Sequence, residues 1–272
     1  MIFRNSLFLL LVFAFSFNAT GQCYNRNEVF KAGEDLSYQV FYNFGMFWFN
    51  AGHVYFRVHD DELNGRPVYH FDSFGGTNKE YDWFYKVRDH YQAWADTATL
   101  EPVKFLRKTS EGGYKARYEY LFNKESGKIF TFSENSDRPY WEDTLNMPDC
   151  IHDVLSLIYY ARNIDFDKYS PGDKIPLKVI TGAENFEVYI RFQGTEVKET
   201  HFGETYQCIK FNPYLVKGTI FQGGEDMTVW MTDDKNRIPV EVKAKILVGS
   251  IFATLQQAKG LRYPDKVSKV TP

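Results

Sequence analysis

The chain is poor in the features that announce an activity. It has three cysteines in 272 residues, Cys23, Cys150 and Cys208. That is too few for a disulfide-dense scaffold, and the odd number leaves one thiol over. No Gly-x-Ser-x-Gly sequence occurs, and no cysteine has a persuasive histidine partner, so the usual nucleophile patterns are missing. The pairs Gly75-Gly76 and Gly223-Gly224 lack a strand-to-helix phosphate-binding context and read as loops. Six histidines are present, His53, His59, His70, His90, His152 and His201. None pairs with another at helical i, i+4 spacing; His152 beside Asp153 comes closest, but adjacent helix positions point apart, so no metal site is expected. Lys and Arg total 32 against 35 Asp and Glu, a net charge of −3. No basic stripe appears, which argues against a nucleic-acid partner, and Arg107-Lys108 reads as a solvated strand face. No apolar run reaches the roughly 20 residues a membrane-spanning helix needs. No cofactor is implied.

What is present begins at the N-terminus. Residues 1–21 carry one early positive charge, Arg4, then an apolar run over residues 7–17, then Ala19-Thr20-Gly21. This is the pattern of a secretory signal peptide cut before Gln22. Export to the periplasm, or to the periplasmic face of the outer membrane of a Gram-negative bacterium, is therefore expected. Cys23 also admits a lipoprotein reading, although Gln22 stands where a small residue is expected. The exported compartment permits disulfides; Cys150 with Cys208 is one pairing, and buried free thiols are the alternative.

Aromatic residues make up 18% of the chain, which favours strands. Most of it alternates apolar and polar residues with a period near two, broken by turn residues such as Asn64-Gly65 and Ser126-Gly127. Tyr38, Val40, Tyr42 and Phe44 share one face, and Tyr81, Trp83, Tyr85 and Val87 form another one-sided stripe. One segment breaks the period. Ile151, Val154, Leu155, Ile158 and Ala161 or Arg162 follow helical spacing, with Asp149 as the expected N-cap.

The chain also repeats itself. Ala32-Gly33-Glu34-Asp35-Leu36 corresponds to Pro171-Gly172-Asp173-Lys174-Ile175, and Trp94, Asp96, Pro102 and Gly112 recur as Trp230, Asp233, Pro239 and Gly249. The expectation is an all-β protein of antiparallel curved sheets or an open barrel, built from two similar halves joined by one α-helix. Its parts are a signal peptide (1–21), a first β half (22–147), a connecting helix (148–164), a second β half (165–263) and a flexible tail (264–272).

These landmarks resemble the DUF3108 family of exported bacterial envelope proteins. The carrying residues are Gly33-Glu34-Asp35-Leu36-Ser37-Tyr38; then Asp153-Val154-Leu155-Ser156 with Tyr159 and Arg162; then Val229-Trp230-Met231-Thr232-Asp233-Asp234 with Arg237-Ile238-Pro239-Val240, Gly249 and Leu255. The resemblance runs from about residue 30 to residue 258 and implies antiparallel β structure without assigning catalytic residues. The last Trp–Asp–Pro hairpin also resembles one in periplasmic lipoprotein carriers, half-open barrels with a helix over an apolar cavity, an analogy of fold.

The most suggestive segment is residues 44–49, Phe44-Gly45-Met46-Phe47-Trp48-Phe49. Both alternating faces are apolar, so it is either buried on both sides by packing or exposed as an adhesive surface. Phe44, Phe47 and Trp48, with Tyr81, Trp83 and Tyr85, are the candidate binding residues. The leading expectation is a non-catalytic protein holding a lipid or apolar ligand on a concave, aromatic-lined β surface. The alternative is a scaffold docking on an outer-membrane protein complex. The third is a hydrolase of envelope polymers, which requires acids such as Glu34 or Asp233 to converge in a cleft. The pairs Asp60-Asp61 and Asp233-Asp234 are otherwise turn chemistry.

Overall fold

The computed structural model describes residues 26–83, 85–217, 223–246 and 248–270. The expected signal segment and Cys23 lie outside the described residues. The first half runs β1 (Asp35–Phe44), β2 (Phe47–Leu63), β3 (Arg66–Thr77), β4 (Val87–Asp96), β5 (Pro102–Glu111), β6 (Tyr114–Asn123), β7 (Lys128–Asn135) and β8 (Trp141–Asn146). The second runs β9 (Ile151–Asp153), α1 (Val154–Arg162), β10 (Lys174–Thr181), β11 (Glu184–Glu199), β12 (Thr205–Pro213), β13 (Met227–Thr232), β14 (Pro239–Lys245) and β15 (Ser250–Lys259).

Among the described residues these strands form one 15-stranded sheet, in the order β8-β7-β6-β5-β4-β3-β2-β1-β15-β14-β13-β12-β11-β10-β9. Every neighbour pair is antiparallel except β9 with β10. The chain thus starts mid-sheet, walks to one edge, crosses to the other and returns to pair β15 with β1. Alternation explains the strands: in β6 the buried Ala116, Tyr118, Tyr120 and Phe122 share one face while Lys115, Arg117 and Leu121 take the other.

The two halves match in backbone detail. At the start of β1, Gly33 N donates to Val58 O (2.8 Å) and Val58 N to Glu34 O (3.0 Å); at the start of β10, Gly172 N donates to Phe192 O (2.8 Å) and Phe192 N to Asp173 O (3.0 Å). A β-bulge follows Trp94 against β5, and another follows Trp230 against β14. Both tryptophans donate their indole N–H to a carboxylate: Trp94 to Asp61 Oδ2 (2.8 Å) and Trp230 to Glu196 Oε1 (2.6 Å). Asp61 lies on β2 and Glu196 on β11, matching strands of the two halves.

The helix differs from its expected bounds. Asp153, not Asp149, is the N-cap, accepting from Leu155 N and Ser156 N, each at 2.9 Å. Residues 151–153 pair in parallel with Lys178, Val179 and Ile180, so the sheet takes their backbone groups before a helix can. The buried face is Leu155, Ser156, Tyr159, Tyr160 and Arg162, whereas Ile158 is exposed. Tyr159 stacks on Phe71 with ring centroids 4.0 Å apart, inside a core cluster with Phe30, Phe105, Tyr120 and Ile129. Tyr160 joins a second cluster with Ile190, Phe211 and Met231. The helix therefore fills the concave face between the halves.

Three further expectations are corrected. Tyr81, Trp83 and Tyr85 are not in a strand: Lys79–Tyr81 is a 3-10 turn and Tyr85 N bonds back to Tyr81 O at 3.1 Å. The chain end is docked rather than loose as far as Val270, whose N–H donates to Thr205 O (2.8 Å), while Lys269 bridges Tyr206. Cys150 is disulfide-bonded and Cys208 is a free, buried thiol, so these two do not pair with each other.

Candidate functional site

Antiparallel pairing places the β1–β2, β3–β4, β5–β6, β7–β8, β10–β11, β12–β13 and β14–β15 connections at one end of the sheet. This rim collects exposed apolar side chains. The β1–β2 tip exposes Phe44, Met46 (85%), Phe47, Trp48 and Phe49, and the β3–β4 connection exposes Trp83 (83%) and Tyr85. Val248 of the β14–β15 turn, Tyr140 and Tyr214 are exposed there too. At the other end the turns at Asn64-Gly65, residues 124–127 and residues 233–237 are polar, whereas the β11–β12 turn exposes Phe202 and brings His201 against Trp48 of the tip.

The tip is ordered by its own backbone. Gly45 takes φ 60°, and Asn43 Nδ2 donates to the carbonyls of Gly45 and Phe47, each at 3.2 Å. Tyr42 pairs with Phe49 and Phe44 with Phe47, on the face that also carries the buried Leu36 and Tyr38. Trp48 takes the opposite face, 5.0 Å from the His201 ring and 4.8 Å from Phe252. Apolar groups therefore stand on both faces of one protruding ribbon. The neighbouring loop is tied to it: Asn78 N donates to Ala51 O (2.9 Å) and Asn78 Nδ2 to Asn50 O (2.8 Å).

The six candidate residues thus share a rim rather than a concave wall. Phe44, Phe47 and Trp48 cluster on the tip; Trp83 and Tyr85 stand exposed in the next connection, where Tyr81 is half-buried. Two open surface depressions, of about 340 and 320 Å³, lie on β7–β8 and β6–β7 and are lined by none of the six.

A second arrangement lies on the helix-bearing face of the first half and escaped the sequence reading. Cross-strand register sets out three rows there. The first, Phe71, Ala93, Phe105 and Tyr120, is apolar and carries α1. The next, toward the aromatic rim, is Ser73, Tyr91, Arg107, Tyr118 and Ser133. The third is Gly75, Asp89, Thr109, Ala116 and Asn135, with Glu111 and Tyr114 paired beyond it. Thr109 Oγ1 donates to Asp89 Oδ1 (2.8 Å), Ser110 N donates to the same oxygen (3.2 Å), and Arg107 Nε donates to Thr109 Oγ1 (3.2 Å). Arg107 also stands 3.6 Å from Glu111, with its guanidinium over the rings of Tyr91 and Tyr118.

Burial, opposed by the Thr109 hydrogen bond and reinforced by the charge of Glu111 and a hydrogen bond with it, raises Asp89 to about 6. Burial also pushes Tyr91 up to about 12. Arg107 is therefore no solvated strand residue. The overlooked signal was phase: Asp89, Arg107, Thr109 and Glu111 occupy the positions of the alternation that Ala93 and Phe105 use for the core.

Of the acids named for hydrolysis, Glu34 is buried against Arg162 and Asp233 is exposed at the β13–β14 turn. Arg162 binds Glu34 through two bonds (2.5 and 2.9 Å) and donates to Asn236 O (2.8 Å) and Arg237 O (3.0 Å). Glu34 and Arg162 are almost fully buried. One guanidinium thereby joins the start of β1, the end of α1 and the β13–β14 turn, the three places that carry the sequence landmarks. Asp234 builds that turn, accepting from Asn236 N (2.8 Å) and Arg237 N (3.2 Å). Among the described residues no group of three or more His, Cys, Asp or Glu side chains is placed to hold a metal ion.

The profile of a family described as "Protein of unknown function (DUF3108)" matches residues 37–256. No curated protein sequence matches the chain. Among solved structures, the crystal structure of a beta-barrel-like protein of domain of unknown function DUF1849 from Brucella abortus superposes with a TM-score of 0.55 at 8% identity, over 85% of this chain and 98% of that one. At that identity the likeness is one of fold.

Proposed function

The chain belongs to the DUF3108 family, and from that premise we propose that it is an exported, non-catalytic cell-envelope protein that engages lipid or another apolar group through its aromatic rim. The observation that carries this reading is the tip of residues 44–49, whose apolar side chains protrude on both faces. Residues 43–51 carry no charge, and Trp, Tyr and Phe gathered at one end suit the boundary between headgroups and acyl chains. The N-terminal pattern of residues 1–21 supports work in the periplasm or at the outer membrane.

The test is flotation of the mature chain with vesicles of phosphatidylethanolamine and phosphatidylglycerol. Withdrawing Trp48 from lipid by Trp48→Ala is expected to weaken binding about tenfold, and Trp83→Ala by a similar amount, from the apolar area each contributes. Binding that neither substitution alters counts against the rim. A docking contact with an outer-membrane protein complex is the second reading. It is favoured by the seat of Trp48 between His201 and Phe252, a pre-ordered aromatic anchor of the kind that dominates protein interfaces. Absence of flotation, with a complex co-purifying from the envelope only when Trp48 is intact, selects it.

A further inference from the structure

The chain holds three cysteines, Cys23, Cys150 and Cys208, and the states of two of them constrain the third. Cys150 is in a disulfide. Cys208 is a free thiol, fully buried in β12. Within one chain, Cys23 is the sulfur left for Cys150 to pair with.

The described residues bring the two ends of that bond to one place. Met147 N donates to Gly127 O (2.9 Å) in the β6–β7 turn, which sets the connection between β8 and β9 at the end of the sheet where β1 starts. Cys150 follows in that connection and is half-buried. It takes φ 59°, a left-handed conformation that costs a cysteine free energy and persists only where its surroundings hold it. The N-terminal segment is fixed at the same end. Glu28 N donates to Asn163 Oδ1 (3.1 Å) just past α1, and Arg262 Nη1 donates to Asn27 O (3.0 Å). Phe30 meets Tyr159 of α1 edge-on, with ring centroids 5.0 Å apart. Ile151, the neighbour of Cys150, lies in the same buried cluster as Val29 and Phe30. Cys23 stands four positions before Asn27, a reach of up to about 14 Å.

We propose that Cys23 and Cys150 are joined by a disulfide that clasps the two ends of the first half, and that Cys23 therefore carries no lipid. The loop so closed contains strands β1 to β8, and a cross-link that closes a long loop removes the most freedom from the unfolded chain. The step is an oxidation by thiol–disulfide exchange. The two thiols lose two protons and two electrons as the S–S bond forms, and the disulfide of an exported thiol oxidase takes them up and leaves as a dithiol. This needs an oxidising compartment. Lipoprotein processing would instead place the Cys23 sulfur in a thioether to diacylglycerol, and one sulfur cannot do both. No acyl anchor then holds the chain to a membrane, and any contact with lipid falls to its side chains. The inference does not rest on the rim, and it stands whether the rim meets lipid or protein.

Peptide mapping of the full chain, exported from a Gram-negative host with its own N-terminal segment, tests it. Free thiols are alkylated in denaturant without reductant before digestion and mass spectrometry. The expected result is a Cys23 peptide linked to a Cys150 peptide, with Cys208 alkylated and no acyl group. An acylated or alkylated Cys23, or Cys150 linked to a second chain, overturns it. Thermal melting tests the clasp itself. Cys23→Ser and Cys150→Ser are each expected to lower the melting temperature by roughly 5–15 °C, and the double variant no further, because one bond is lost in all three. Losses that add, or no loss, overturn the clasp. Should a variant fail to fold, the map of the unaltered chain still decides.

Discussion

Glu34 and Asp173 close the same turn in the two halves, each with its backbone carbonyl bonded to the second strand, yet their side chains have opposite fates. Glu34 is buried and gripped by Arg162, whereas Asp173 is exposed and accepts only from its own turn, from Ser170 N at 2.8 Å. The tryptophans repeat the lesson. Trp94 is half-buried and stacks on His70 at 4.5 Å, while Trp230 is buried beneath Lys198. The backbone frame is shared, and each half has turned its side chains to a different use. In the second, Met227, Ala244 and Ile251 continue the apolar face toward the rim. The first supplies the keystone of the joint and a polar strip.

The largest break in that comparison is expected at the keystone. Glu34→Gln leaves the Arg162 guanidinium buried without its counter-charge and should cost about 3–5 kcal/mol, whereas Asp173→Asn, at a surface turn, should stay within about 0.5 kcal/mol. Urea unfolding of the two variants measures the difference, and equal losses would mean that the halves are fastened alike. The tryptophans come next. Trp230→Phe removes a part-buried hydrogen bond to a carboxylate and should cost roughly 1–2 kcal/mol; Trp94→Phe, whose bond is exposed, should cost less. A larger loss at Trp94 would mean that its exposed bond and its stacking on His70 hold more than the part-buried bond of Trp230.

The smallest effect is the dependence on pH that Asp89 contributes. Asp89 sits at about 6 against an ordinary value of 3.8. A carboxyl raised by folding favours the native state when protonated. Its contribution is therefore complete below about pH 4, declines as pH rises toward about 6, and is absent above. Asp89→Asn should remove its share of the slope and leave that of the buried Asp153, also raised to about 6, so the melting temperatures of wild type and variant should draw apart by a few degrees across this window. A constant offset would show that Asp89 titrates as it does in the unfolded chain.

Much of the frame was legible before any coordinates. The pairing of Trp94 and Pro102 with Trp230 and Pro239 marks the same bulged hairpin in each half, because a bulge and a strand-opening proline are local requirements. Alternation identified the strands of β1, β6 and β7 for a similar reason. It failed at Tyr81, Trp83 and Tyr85, where the same period-two pattern occupies a loop whose hydrogen bonds are local. It failed again at residues 151–153, where an apolar run with helical spacing pairs with β10 instead, since short segments of that kind are decided by their neighbours. The tip of residues 44–49 was recognised as unusual, but sequence left open whether it is covered.

Sequence by itself therefore determined an all-β chain with a repeated plan and one helix between its halves. These follow from side-chain period, turn chemistry and backbone sterics over a few residues. Only the tertiary structure decided that Glu34 meets Arg162, that Asp89 meets Glu111, and that the aromatic segments of β1–β2 and β3–β4 stand exposed on one rim. Those outcomes depend on cross-strand register, on how α1 packs against both halves of the sheet, and on which charges that packing withdraws from water, and none of the three is a property of a short stretch of chain.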